Sequence, residues 1–188
     1  MNKVLLGEAR FYFAQCVFNT SCQYAGHDRY AQKRTLQKKI AIIISSLTII
    51  SIVLTIAGFE SCQSLLEFGS MLGLIATAAS LIFEIYNKDD LSEIMLYHKL
   101  AAEDYKKLRD KFMDIIRRIK GGDDLHSVEC DMKQCLSDYG VLGQYSLPTS
   151  YEDYNKAQKA LGLKGEGEAF TWNPDEIDRF LPIELREK

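Results

Sequence analysis

"IAIIISSLTIISIVLTIAGF", residues 40–59, and "FGSMLGLIATAASLIFE", residues 68–84, are the two stretches whose reading decides the fold. The first contains no charged residue and is dominated by Ile, Leu and Val. Twenty helical residues span about 30 Å, the thickness of a hydrocarbon core, so this stretch reads as a transmembrane helix. Residues 68–83 are also uncharged, and Leu65, Leu66, Ile85 and Tyr86 lengthen that run to a second span over 65–86. Glu67 and Glu84 then sit near the two interfaces, within reach of water. The rival reading, a soluble pair of buried helices, is weaker because few soluble helices are apolar all round.

The rest of the chain contrasts with these runs. Of 188 residues, 26% are charged, the net charge is −3 and mean hydropathy is −0.14. The flanks therefore hold nearly all of the charge. "MNKVLLGEARFYFAQ" is interrupted by Glu8 and Arg10 and has no small-residue cleavage site, which argues against a signal peptide. Lys33, Arg34, Lys38 and Lys39 precede the first span, and Lys88, Lys99, Lys106, Lys107 and Arg109 follow the second. The connecting "ESCQSLLE" has two Glu and no Lys or Arg. The excess of basic residues on one side predicts both termini in the cytoplasm and a short acidic turn outside. Cys16, Cys22, Cys130 and Cys135 are then cytoplasmic and reduced, with Cys62 alone outside.

Three parts follow: a cytoplasmic N-terminal helix over 1–38, a two-span hairpin over 39–87, and a cytoplasmic helical domain over 88–188. The fold class is an all-α integral membrane protein. The N-terminal helix is expected to carry a break near Gly26. After the second span, Ile94, His98, Ala101, Tyr105, Leu108, Phe112, Ile115 and Ile119 alternate at spacings of 4 and 3, a heptad seam. One helix, or two closely coupled ones bent near Asn87 to Asp90, is expected to run to about Ile119, where Gly121 and Gly122 end it. The seam is the core of a bundle within the chain or a coiled coil between chains, and Ile116, which widens the stripe, favours the bundle. His98, its one polar member, is either a hydrogen-bonded core histidine or a pH-sensitive pivot.

A further helix is expected from about Asp123 to Tyr139, then a loop, "GVLGQYSLPTS". A short helix capped by Ser150 runs to Leu161, and "GLKGEGEAFTW" reads as a connector. Asn173, Pro174 and Glu176 then form a capping box, with Trp172, Phe180 and Leu181 docking this end.

The chain carries no recognisable chemistry. "GLKGEGEAF" lacks the Lys-Ser/Thr ending of a phosphate loop and has no preceding strand. Glu103–Asp104 and Asp123–Asp124 are adjacent pairs, which diverge by roughly 100° on a helix. His126, Cys130 and Cys135 match no zinc spacing. No enzymatic activity, cofactor or metal is expected. An acidic chain gives little support for nucleic-acid binding; "KLRDKFMDIIRRIK" reads instead as a solvated helix face.

The second span holds an unusual run of small residues. Gly69, Gly73, Ala76, Thr77, Ser80 and Glu84 fall within an arc of roughly 100°, and Gly69 and Gly73 have the G-x-x-x-G spacing of close helix contacts in lipid. The first span has its own polar face in Thr48, Ser51 and Thr55. Either the two faces pair within one chain, or one of them meets a neighbouring subunit or lines a water path, with Glu84 at a pore mouth. Two spans cannot enclose a pore alone, so conduction requires a homo-oligomer.

"EIMLYHKLAAEDYKKLRDKF" (93–112), following directly on "LIFEIYNKDD", and "LPTSYEDYNKAQKAL" (147–161) complete a layout that resembles the SLATT family, two-transmembrane effector domains of bacterial conflict systems. The resemblance implies an inner-membrane effector of anti-phage defence that acts by abortive infection. It would be triggered by a separate sensor or nucleotide-signalling component and form pores. The alternative is a non-conducting, membrane-anchored adaptor that recruits a cytoplasmic partner through its helical bundle.

Overall fold

The computed structural model describes residues 2–87, 90–163 and 172–187, apart from the side chains of Glu60 and Ser61. Among these residues the regular structure is entirely helical: α1 (Lys3–Ser61), α2 (Gln63–Tyr86), α3 (Leu91–Gly121), α4 (Leu125–Tyr145), α5 (Tyr151–Ala160), α6 (Pro174–Asp178) and a 3-10 turn (Ile183–Leu185). They form two units. Met1–Arg29 joins Ile94–Lys188 in the first, and Tyr30–Glu93 makes the second.

The first unit has a core because four amphipathic segments each bring one apolar face to it. From α1 come Leu6, Ala9, Phe13 and Cys16; from α3 come Tyr105, Leu108, Phe112, Ile115, Ile116 and Ile119. Val128, Met132 and Cys135 enter from α4, and Ile177, Leu181 and Leu185 from the C-terminal segment. The heptad seam is thus buried inside a single chain: Phe112 is 0% exposed, Ala101, Tyr105, Leu108, Ile115 and Ile119 are also buried, and Ile94 is half-buried. A smaller cluster of Phe18, Cys22, Ala157 and Leu163 lies against Trp172 and Phe180. Burial also acts on the thiols, pushing those of Cys16 and Cys22 up to about 12. Cys135 is buried whereas His126 and Cys130 are exposed.

The C-terminal segment is held by charge as well as by apolar contact. Arg10, buried on α1, pairs with Asp178 at 2.8 Å and with Glu187 at 3.7 Å. The expected N-cap at Ser150 and capping box at Asn173 both form, and Asp153 completes a capping box at Ser150 as well.

Two expectations change. No break occurs near Gly26: α1 is helical from Lys3 to Ser61, because Gly26 serves a packing contact rather than a turn. The loop expected from Gly140 is helical to Tyr145, since neither Gly140 nor Gly143 has positive φ and Leu142 packs against the core. Of the two alternatives beyond the second span, the structure has two helices: α2 stops at Tyr86, where Asn87 leaves helical geometry and caps it, and α3 begins at Leu91. The connector expected over 162–172 falls outside the described residues at 164–171.

Phe112 touches the core on all sides, so Phe112→Ala should destabilise the first unit by about 3–5 kcal/mol. Lys107→Ala, at a side chain 74% exposed, should stay within about 0.5 kcal/mol of the parent. Urea unfolding of the two variants in detergent checks the difference.

Candidate functional site: the apolar hairpin and a buried histidine cluster

α1 and α2 contain two stretches long and apolar enough to cross a membrane. Only Cys62 separates the two helices, so they return antiparallel. Their contact keeps one register. A Cβ on Gly58 would collide with the Leu66 backbone; one on Gly69 would lie 2.7 Å from the Thr55 amide nitrogen; one on Gly73 would lie 2.9 Å from Ser51 Oγ. Further along the same register, Gln37 donates a hydrogen bond to Asn87 Oδ1. Ala76, 3% exposed, falls opposite Thr48 in this alignment.

The small face of α2 and the hydroxyl face of α1 therefore meet within one chain. Gly69 and Gly73 pack toward Thr55 and Ser51, Ala76 is buried and Ser80 is half-buried. Backbone-to-backbone contact is open only to residues without a bulky side chain, which is why this surface is small. The close approach that the small residues permit is taken up inside the hairpin. Thr77 and Glu84, by contrast, are exposed on another side of α2.

The hydroxyls are satisfied locally. Thr48 Oγ1 donates to the Ile44 carbonyl (3.0 Å), Ser51 Oγ to Thr48 (2.9 Å), Thr55 Oγ1 to Ser51 (2.8 Å) and Thr77 Oγ1 to Gly73 (2.8 Å). Each bonds a carbonyl of its own helix, so no water is needed in the apolar stretch.

In the first unit, His98 is 1% exposed and lies directly on α1, where a Cβ at Gly26 would be 2.8 Å from the ring. Its Nδ1 is 2.6 Å from Gln23 Oε1. Gln23 Nε2 donates to the Leu147 carbonyl at 3.1 Å, which fixes Oε1 as an acceptor and Nδ1 as the protonated nitrogen. Nearby, Arg29 forms a bidentate pair with Asp153, whose carboxylate is fully buried and also accepts from the Ser150 amide. Burial raises the Asp153 pKa, but the Arg29 and Ser150 hydrogen bonds outweigh it and hold the carboxyl below its usual range. Burial pushes the His98 pKa down; Asp153 opposes this, while Arg29 and His27 reinforce it.

Sequence periodicity pointed to His98 but not to its partners. Gln23, Gly26 and Arg29 recur every three residues on α1, a weak signal in a polar stretch. Gly58 was also missed, although it continues the face of Ser51 and Thr55.

Two predictions follow from these contacts. Gly69→Ala drives a methyl into backbone and should lower the unfolding midpoint of the intact chain in micelles. Gly73→Ala meets only a hydroxyl, so adding Ser51→Ala should restore stability there, while the same change leaves Gly69→Ala unrescued. An unaltered midpoint for Gly69→Ala would rule out the backbone contact. For His98, a folded pKa below the unfolded value of 6.5 means the unfolded chain binds more protons. Its contribution is complete above about pH 6.5 and is lost as pH falls below it. Stability measured between about pH 7.5 and about pH 5.5 should decline, and His98→Asn should flatten that slope.

Comparison with curated proteins and with solved structures returns no match. The family described as "SMODS and SLOG-associating 2TM effector domain family 4" matches residues 5–176, which takes in both apolar helices and all but the last turns of the first unit. The chain belongs to this SLATT family of two-transmembrane effector domains, whose members associate with SMODS and SLOG components.

Proposed function

We propose that this chain is a non-enzymatic membrane effector of a bacterial anti-phage defence system. It sits in the inner membrane with both termini in the cytoplasm. When a separate sensor or nucleotide-signalling component triggers it, it oligomerises and opens a pore or otherwise disrupts the membrane, ending the infection by killing the cell. Family membership supports the effector role. The observation that carries the assembly is on the outer surface of α2: Ser70, Thr77 and Glu84 are exposed at seven-residue intervals, which places them on one stripe.

Since Gly69, Gly73 and Ala76 are occupied within the hairpin, the exposed stripe is the face left for a neighbouring subunit. A carboxylate on an otherwise apolar helix is costly when it faces lipid and marks a functional position. Glu84 lies close to the end of α2 at Tyr86, and a ring of such carboxylates would favour cations over anions. The second reading, a non-conducting adaptor, draws support from the same hairpin contact, because the small-residue face is already used inside the chain.

Membrane potential and propidium entry in bacteria carrying this chain, its partner genes and phage separate the two. The effector reading expects depolarisation on infection. Glu84→Gln should leave assembly intact and lower the cation-over-anion permeability ratio several-fold. Cells that hold their potential throughout infection favour the adaptor.

A further inference from the structure

The segment from Pro174 to Glu187, which holds α6 and the 3-10 turn, lies against α1 and α3 of the first unit. Ile177, Leu181 and Leu185, spaced four apart, enter the core. Polar ties add to this: Arg10 of α1 pairs with Asp178, Lys120 of α3 donates to the Arg186 carbonyl at 2.6 Å, and Arg179 donates to the carbonyls of Leu161 and Gly162.

The fit is incomplete in two respects. All contacts of the Arg10 guanidinium with the segment run through Nη2: Asp178 at 2.8 Å, the Pro174 carbonyl at 3.4 Å and Glu187 at 3.7 Å. Nη1 is buried and has no hydrogen-bond partner. A guanidinium holds a carboxylate best through two parallel N–H bonds, so half of this fork is unused. Open clefts also flank the segment. One, of about 350 Å³, is lined by Phe13, Val17 and Met113 from the helices and by Phe180, Leu181 and Pro182 from the segment. Arg109 and Asp110 complete its lining and pair with each other at 2.7 Å. The other, of about 830 Å³, is lined by Lys3, Leu6 and Lys120 from the helices and by Ile183, Glu184, Arg186 and Glu187 from the segment.

The charges of the two sides are opposite. The helices supply Lys3, Arg10 and Lys120, while the carboxylates of Asp178, Glu184 and Glu187 come from the segment. A buried guanidinium without a counter-ion is costly, so whatever covers Arg10 must bring a carboxylate. Among the described residues, every polar partner of Arg10 belongs to the segment. Arg10 itself lies within the residues matched to the family, and Asp178 and Glu187 lie beyond them.

We propose that the Pro174–Glu187 segment is a displaceable strap over a docking groove on α1 and α3, and that this groove takes an acidic segment of a partner protein whose apolar residues are spaced four apart. A carboxylate of the partner engages Nη1 and Nη2 together, which Asp178 does not. The proposal takes from the proposed function only that a separate component triggers the chain, and it makes release of the strap the step at which that component acts.

A fluorescein-labelled peptide with the sequence of residues 173–188 is the probe, added to the full chain in detergent micelles. Asp178→Asn with Glu187→Gln in the chain weakens its own strap, and the peptide should then bind about tenfold tighter than it binds the parent, the worth of one hydrogen bond to a charged group. Adding Arg10→Gln to that chain should remove the gain. Equal affinity for the parent and the weakened chain, or a gain that survives Arg10→Gln, overturns the proposal. The unsubstituted chain gives an independent readout: amides over 175–187 should exchange several-fold faster than those over 105–116, because the strap opens while the core stays closed. Equal rates make the segment a fixed part of the core and overturn the proposal whatever the variants do. Self-association of the weakened chain that the peptide reverses assigns the groove to the strap of a second copy and overturns the partner. None of these measurements involves membrane potential, so their failure leaves the effector reading standing, and cells that hold their potential leave the groove standing.

Discussion

Two helices that are apolar on every side gain nothing from the hydrophobic effect by pairing in hydrocarbon, since lipid is as good a neighbour as leucine. Direct packing must hold them together, and packing energy grows as backbones come closer. The contact of Gly69 with the Thr55 backbone and of Gly58 with the Leu66 backbone is that constraint in this protein. It fixes the register of the hairpin, requires small residues along one side of α2, and assigns the hydroxyls of α1 to the inside. The bulky residues Leu74, Ile75, Leu81 and Ile82 are left outward and exposed.

The first unit is built on the opposite principle. Its helices are amphipathic, and water drives their apolar faces together. Polar groups caught in that core are costly unless bonded, and those near Gly26 are bonded in sequence. His98 donates to Gln23, Gln23 donates to Leu147, and Arg29 pairs with Asp153. These bonds tie α1, α3 and α5 together, alongside the Tyr24–Glu103 hydrogen bond between α1 and α3. One helix, α1, takes part in both kinds of packing: its first turns bury Leu6, Ala9 and Phe13, and its last bury Ser51 and Gly58.

Much of the candidate site was legible before folding because helical periodicity converts spacing into faces. The small stripe from Gly69 to Ser80 and the hydroxyl stripe of Thr48, Ser51 and Thr55 were visible as faces, and so was the heptad seam. What each face touches was not visible. A G-x-x-x-G pattern states only that a backbone comes near, and the same residues suit a partner span or a neighbouring subunit. His98 was likewise identifiable as a polar interruption, while Gln23 and Leu147 lie 75 and 49 positions away from it in a chain without other signals.

The sequence by itself determined the all-helical class, the two apolar runs, the N-cap at Ser150, the capping box at Asn173, and the buried side of α3. These depend on local spacing and on side-chain chemistry within a few residues. Only the tertiary structure decided that α1 passes Gly26 without a break, that α4 continues through Gly140 and Gly143, and that the small residues of α2 are matched inside the chain. A glycine can end a helix, bend it or admit a neighbour, and its sequence context is the same in all three cases. The choice is made by what lies opposite: a histidine ring at Gly26, a threonine backbone at Gly69 and a serine hydroxyl at Gly73.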